Sequence, residues 1–286
     1  MGDISNTMIF EPSLSFVAGT LSEATALWFL FRQDSLLVEA GADTARIPQS
    51  PTPASLDLHL SRILRLGALS GVPCYAGNLA DDAPLPDGMA FVNLRQLFGR
   101  FDEVVYGLAG TALQTVRWDR THRYCGRCGA ETRLMPTERA AICTTCGVTN
   151  HPRISPAVIV AVIREGRILL GRSGRYPGQR LFSVLAGYVE LGETLEACVH
   201  REVMEEAGIR IQNLKYFGSQ PWPFSGSLMV AFTAEWASGE ISIDGEEVME
   251  AGWFGPQELP LVPGWGSVAG RLIDWFKHHN PHGDLT

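Results

Sequence analysis

The sequence predicts a mixed α/β (α+β) protein. Strand-like apolar runs at 157–163, 168–170 and 228–236 surround one strongly patterned helical stretch between Thr194 and Gly208. A compact cysteine-bearing insert separates these from a longer N-terminal stretch. At 286 residues the chain exceeds one average domain, and we divide it at 1–120, 121–152 and 153–286.

Residues 1–120 alternate apolar runs (27–30, 89–92) with breaks rich in Pro and Gly at 49–53 and 81–88. Strands with interspersed helices are expected there. The zone has no convergent polar motif, so a structural or dimerising role is expected of it.

In the insert, Cys125-x2-Cys128 and Cys143-x2-Cys146 stand 14 residues apart. Two tight turns supplying two thiolates each are what a tetrahedral zinc ribbon needs. Gly126, Gly129 and Gly147 give those turns backbone freedom. Disulfides and a redox pair are the competing readings. With all four ligand positions filled by protein, the zinc holds the fold and leaves no position for water or substrate. Cys74 and Cys198 remain, and we take them as small buried hydrophobes.

The helical stretch carries the chemistry. Thr194 is placed to cap its start and Gly208 to end it in the left-handed region. Leu195, Val199 and Val203 repeat every fourth residue as a core stripe. Glu202, Glu205 and Glu206 fall at i, i+3 and i+4 on one side, with Glu206 half-buried at the stripe's margin. Such crowded carboxylates are costly without cations. Oxygen ligands of this kind suit Mg²⁺ or Mn²⁺. Arg201 is expected to orient a glutamate through an ion pair. The last strand-like run is followed by a further amphipathic helix at 268–276.

Some classes are disfavoured. The apolar stretches at 24–31 and 157–163 fall far short of the roughly 20 residues that span a bilayer, so no membrane is expected. The first residues lack a basic segment followed by an apolar run, so no secretory leader is expected. Unpaired thiols then fit a reducing cytoplasm. A net charge of −8 argues against non-specific binding to long nucleic acid, although the Arg-rich stretch 117–127 offers a local basic patch. No GxGxxG follows a strand, which argues against hydride transfer.

The spacing Gly187, Glu193, Arg201-Glu202, Glu205-Glu206, Gly208 resembles the signature of the Nudix hydrolases. With the cysteine insert before it and Ser219-Gln-Pro-Trp-Pro-Phe224 after it, the chain resembles the NADH pyrophosphatase (NudC-type) family. The likeness runs through His122–Cys125, His151–Pro156, Glu247 and Ser267–Ile273 and covers roughly 110–280. It implies a Nudix α/β/α sandwich, preceded by a four-cysteine zinc ribbon and a Nudix-like N-terminal domain.

The resemblance also implies an activity, cleavage of the diphosphate of NADH, and of NAD⁺ less readily, to AMP and nicotinamide mononucleotide. Removal of NAD caps from RNA 5′ ends is implied as well, as is a homodimer whose active site borrows partner residues. Metal ligation would fall to Glu202, Glu205, Glu206 and Glu247, with Glu202 and Glu247 the candidates for general base. Tyr188, commonly Phe in the family, would stack on the nicotinamide ring. Gln220, Trp222, Phe224 and Ser227 would line the dinucleotide pocket, and His151 would stack from the partner subunit.

Two positions depart from the family. Ser225 stands in place of Pro, which removes one fixed φ and is expected to loosen the segment. His151 stands where Tyr is frequent. Both are expected to tune affinity. Hydrolysis of another nucleoside diphosphate such as ADP-ribose, or a non-catalytic ligand sensor, are the alternatives.

Overall fold

In the computed structural model the chain forms two compact units, 1–153 and 154–286. The structure describes residues 8–21, 24–41, 44–174, 180–243 and 245–279.

The first unit contains β1 (Phe10–Pro12), β2 (Ala26–Arg32), β3 (Ser35–Ala40), β4 (Ala45–Arg46), β5 (Gln49–Ser50), β6 (Leu64–Leu69), β7 (Val72–Asn78) and β8 (Met89–Asn93). They form one sheet, in order β1-β6-β7-β2-β3-β4, with β5 on β2 and β8 on β3. β2 reads Ala-Leu-Trp-Phe-Leu-Phe and is buried on both faces, as a covered central strand must be. Helix α1 (Glu103–Thr121) packs on β7 and β2, and the Asp102 side chain caps it by accepting from Val104 N–H at 2.9 Å.

The cysteine insert has a sheet of its own, built from β9 (Thr132–Leu134), β10 (Ala141–Cys143) and β11 (Thr149–Asn150). It still belongs to the first compact unit. Arg139 donates from Nε to the Ser13 carbonyl and from Nη2 to the Leu66 carbonyl, both at 2.9 Å.

The second unit contains β12 (Ser155–Arg164), β13 (Arg167–Ser173), β14 (Leu185–Tyr188), helix α2 (Leu195–Ala207), β15 (Arg210–Trp222), β16 (Ser227–Ser238), β17 (Val248–Phe254) and helix α3 (Val268–His279). The sheet order is β15-β16-β12-β13-β17, with β14 paired to β12. β12 runs parallel to β16 and is the central strand. Its Val158, Val160 and Val162 pack with Val199 and Val203 of α2. The alternate residues Ile159 and Ala161 pack with Leu272, Ile273 and Phe276 of α3. The two-residue period of the strand therefore produces an α/β/α sandwich.

Both caps of α2 form as expected. Thr194 Oγ1 accepts from Ala197 N–H at 3.2 Å, and Gly208 adopts φ 70° while donating to Met204 O at 3.0 Å. Residues 219–222 form the end of β15, with Gln220 opposite Met229 and Trp222 opposite Ser227 on β16. β15 is the sheet edge, where a proline such as Pro221 is tolerated. Only 223–226 turn, with Gly226 at φ 71°.

Candidate active site

The register of β14 decides what each of its last residues faces. Gly187 pairs with Val158 and Tyr188 with Ala157, so the two point to opposite faces of the sheet. Gly187 is on the side of α2. A Cβ built there would overlap the Glu202 carboxylate, so the missing side chain is what lets that carboxylate lie against the strand.

Arg201 organises the acidic residues around it. Its Nε and Nη2 hold Glu193 in a two-pronged pair at 2.8 and 2.9 Å. Nη1 donates to Glu202 at 2.8 Å and to Glu205 at 2.9 Å, and Nη2 also reaches the Tyr188 carbonyl at 2.9 Å. One guanidinium thus ties the loop before α2, the strand end and the helix together. Arg201 makes ion pairs with glutamates, and its two-pronged partner is Glu193, to which the sequence assigned no individual role.

Burial separates the three helix glutamates. Glu202 and Glu206 are 7% and 8% exposed, while Glu205 is open to solvent. The i, i+3, i+4 spacing puts them on one side of the helix, but at different depths. Glu202 is as deep as Glu206 because Gly187 leaves it room. Burial pushes the Glu202 carboxyl above its ordinary value; Arg201 opposes this, and Glu205 and Glu247 add to it. Glu193 goes the other way, down to about 2, chiefly through its hydrogen bonds from Arg201.

Glu206 and Glu247 line a cavity of about 270 Å³ together with Ser173, Ser183 and Ala186. The two serines carried no recognisable sequence signal. Carboxylates gathered beside a cavity, with the Arg201 guanidinium bonded to several of them, are a donor set that fits divalent cations. The carboxylates do not converge tightly. Among the described residues, the four cysteines are the one group of three or more His, Cys, Asp or Glu whose donor atoms all lie within 4.8 Å of one another.

On the opposite face, Tyr188 is 45% exposed and its hydroxyl lies 3.1 Å from Ser227 Oγ. Ser227 is buried and also sits 2.8 Å from Ser225 Oγ. Ser225, expected to loosen the turn, is thus fastened to it. Trp222 and Phe224 meet edge to face, with centroids 5.1 Å apart. Gln220 faces inward to the protein: Nε2 donates to Gly266 O at 3.0 Å and Oε1 accepts from Val268 N–H at 2.7 Å, capping α3. In the first unit, His151 is 3.0 Å from Glu138.

The cysteine cluster fits zinc closely. Cys125 and Cys146 sulfurs are 3.6 Å apart and those of Cys128 and Cys143 3.5 Å apart. Bonds of about 2.3 Å to a tetrahedral zinc place sulfurs about 3.8 Å from one another, whereas a disulfide needs about 2.0 Å. Backbone N–H groups of Cys146 and Thr145 pull the Cys143 thiol down to about 6, toward the thiolate a metal takes. Gly129 and Gly147 have positive φ at 75° and 71°; Gly126 does not. Cys74 and Cys198 are buried and free, and burial pushes each up to about 12.

Comparison with known proteins agrees with this layout. Residues 153–276 match the NUDIX domain, 25–118 the NADH pyrophosphatase-like rudimentary NUDIX domain, and 120–149 the NADH pyrophosphatase zinc ribbon domain. The chain is 41% identical over 253 residues to the NAD-capped RNA hydrolase NudC of Deinococcus radiodurans, covering 87% of this chain and 86% of that one. It is 44% identical over 221 residues to the protein of the same name from Shigella boydii, covering 77% and 83%. Among the described residues no helix is long and apolar enough to cross a membrane.

Proposed function

We propose that this chain, which belongs to the NudC-type NADH pyrophosphatases of the Nudix hydrolases, splits the diphosphate of NADH and NAD⁺ with water. The products are AMP and nicotinamide mononucleotide, reduced when NADH is the substrate. The P–O–P bridge breaks and water supplies the new oxygen on phosphorus. The observation that carries this reading is the Glu202 carboxylate seated against Gly187 with Arg201 bonded to it, beside the cavity of Glu206 and Glu247.

Glu202, Glu205, Glu206 and Glu247 would hold the cations, which we take to be Mg²⁺ or Mn²⁺ from their all-oxygen donor set. When bound, these cations neutralise the diphosphate and lower the pKa of the attacking water. Arg201 keeps Glu202 oriented and charged. Glu202 and Glu247 are our candidates for taking a proton, and the Glu202 carboxyl, bonded to Arg201, is held above its ordinary value by burial. Tyr188, Trp222 and Phe224 offer aromatic faces to the dinucleotide, with Ser227 behind Tyr188. The Gln220 amide supports this wall through α3. Cys125, Cys128, Cys143 and Cys146 would hold a structural zinc.

The same cut on an NAD-capped RNA leaves a 5′-monophosphate end, and the likeness to NAD-capped RNA hydrolases favours this as a second substrate. A homodimer in the cytoplasm, with His151 serving the partner's site, completes the proposal. Its support is the family membership and a half-exposed His151. The test is a product assay with Mg²⁺ or Mn²⁺ on NADH, NAD⁺, ADP-ribose and NAD-capped RNA, with Glu206→Gln as control. AMP and reduced nicotinamide mononucleotide from NADH, lost in the variant, support the reading. Cleavage of ADP-ribose alone would replace the substrate, and no cleavage of any would favour a ligand sensor.

A further inference from the structure

We infer that Ser225 is a positioning residue. It holds the ring of Tyr188 in place through a chain of three hydroxyls and so sets the affinity for the ring-bearing half of the substrate. This rests on the proposed NAD(H) activity and assigns a residue that the signature motif does not include.

The argument begins with topology. Tyr188 ends β14, Ser227 begins β16, and β12 lies between those strands, pairing with both. Tyr188 is in register with Ala157 and Ser227 with Ser155, two residues apart on β12, so both face the α3 side. The phenol therefore reaches across the central strand to meet Ser227 at 3.1 Å. The ring is 45% exposed at the end of its strand, and the bond made by its hydroxyl restrains its two side-chain torsions.

Ser227 cannot act alone. It is 2% exposed, and its hydroxyl lies between Tyr188 at 3.1 Å and Ser225 at 2.8 Å. Three hydroxyls carry three protons, and two are used within the chain. The phenol is the strongest acid of the three, so the natural direction is Tyr188 to Ser227 to Ser225, with the last proton on the solvent-exposed Ser225. Removing the Ser225 hydroxyl leaves the buried Ser227 proton without its acceptor. Its remaining neighbour is the phenol oxygen, and turning toward it displaces the Tyr188 donor. Ser225 thus acts on the ring without touching substrate.

The experiment compares wild type, Ser225→Ala, Ser225→Thr, Tyr188→Phe and the Ser225→Ala/Tyr188→Phe double variant. KM and kcat are measured for NADH and for ADP-ribose, which lacks the nicotinamide ring. In parallel the ¹³Cζ resonance of Tyr188 is recorded in tyrosine-labelled protein, assigned by its loss in Tyr188→Phe. Ser225→Ala should raise the NADH-to-ADP-ribose KM ratio roughly threefold to tenfold, the range one hydrogen bond gives. Its kcat for NADH should stay within about twofold, a change small on the scale of one hydrogen bond. The Tyr188 resonance should move with it, Ser225→Thr should restore both, and Ser225→Ala should add nothing in the Tyr188→Phe background.

An unchanged KM ratio, an equal penalty in the Tyr188→Phe background, or an unmoved resonance each overturns the inference while NADH turnover by wild type stands. Wild-type protein that cleaves ADP-ribose and not NADH removes the parent reading, and the inference falls with it.

Discussion

The carboxylate of Glu202 occupies the space that a Cβ on Gly187 would fill. The glycine that opens the motif and a glutamate 15 positions later are therefore one device: a strand without a side chain and an acid that needs a dry seat.

Gly187→Ala should keep the fold and lose the chemistry. The new methyl forces Glu202 off the strand, and a shift of about 1 Å at a reacting centre costs about 10²-fold in rate. We expect kcat to fall at least that far with a cooperative melt retained. Full turnover in a folded Gly187→Ala protein would show that Glu202 works from a different position.

Arg201→Gln should move the pH profile upward. Burial holds the Glu202 carboxyl above its ordinary range and the Arg201 guanidinium opposes this, so its loss raises that carboxyl further. The acidic limb of kcat/KM is expected at higher pH than in wild type; a limb that stays or moves down contradicts it. Stability shifts the other way. Glu193 is held down to about 2 by Arg201, so its contribution is complete above the ordinary value of 4.5 and is lost as pH falls from there toward 2. Urea unfolding at pH 5 and pH 3 should show a smaller drop in Arg201→Gln than in wild type.

Glu206→Gln should uncouple stability from activity. Without metal, the variant replaces a carboxylate that is 8% exposed by an amide of the same shape, so a cooperative melt should be retained. Added Mg²⁺ should raise the Tm of wild type by mass action and that of the variant much less. Turnover should fall about 10²–10⁴-fold, the value of several kcal/mol of metal-borne charge stabilisation. Equal Mg²⁺ responses in the two proteins would remove Glu206 from the ligand set.

Cys143→Ser should act through folding. One zinc per chain is expected by metal analysis of wild type and loss of tight zinc from the variant. Tm should drop, and activity per folded molecule should change little. A variant with an unchanged Tm but no turnover would argue for a catalytic role of the cluster.

The sequence made the repeating parts of this fold legible. The apolar runs at 157–163 and 228–236 lie inside β12 and β16, and the caps at Thr194 and Gly208 bound α2 within a residue. What it hid depends on partners distant in the chain. The depth of Glu202 could not be seen from the helix alone, because the space comes from Gly187 on another element. The Gln220 side chain looked like a substrate contact, yet its amide bonds the residues just ahead of and starting α3, 46 and 48 positions away. Ser225 looked like a lost proline until Ser227 was placed beside it. Helix α1 was missed as a discrete element because its apolar positions include small residues, Gly107, Ala109 and Gly110, that weaken helical periodicity.

Gly187 and Tyr188 are neighbours in the chain and face opposite sides of the sheet, so the backbone points behind the buried acid's seat and the exposed ring are one peptide unit, about 3.8 Å, apart. That interval is covalent, and no repacking of the core can stretch it. The strand end is in effect a ruler. Side-chain exchange at either position can change what each face presents, while the backbone spacing between the two stays the same.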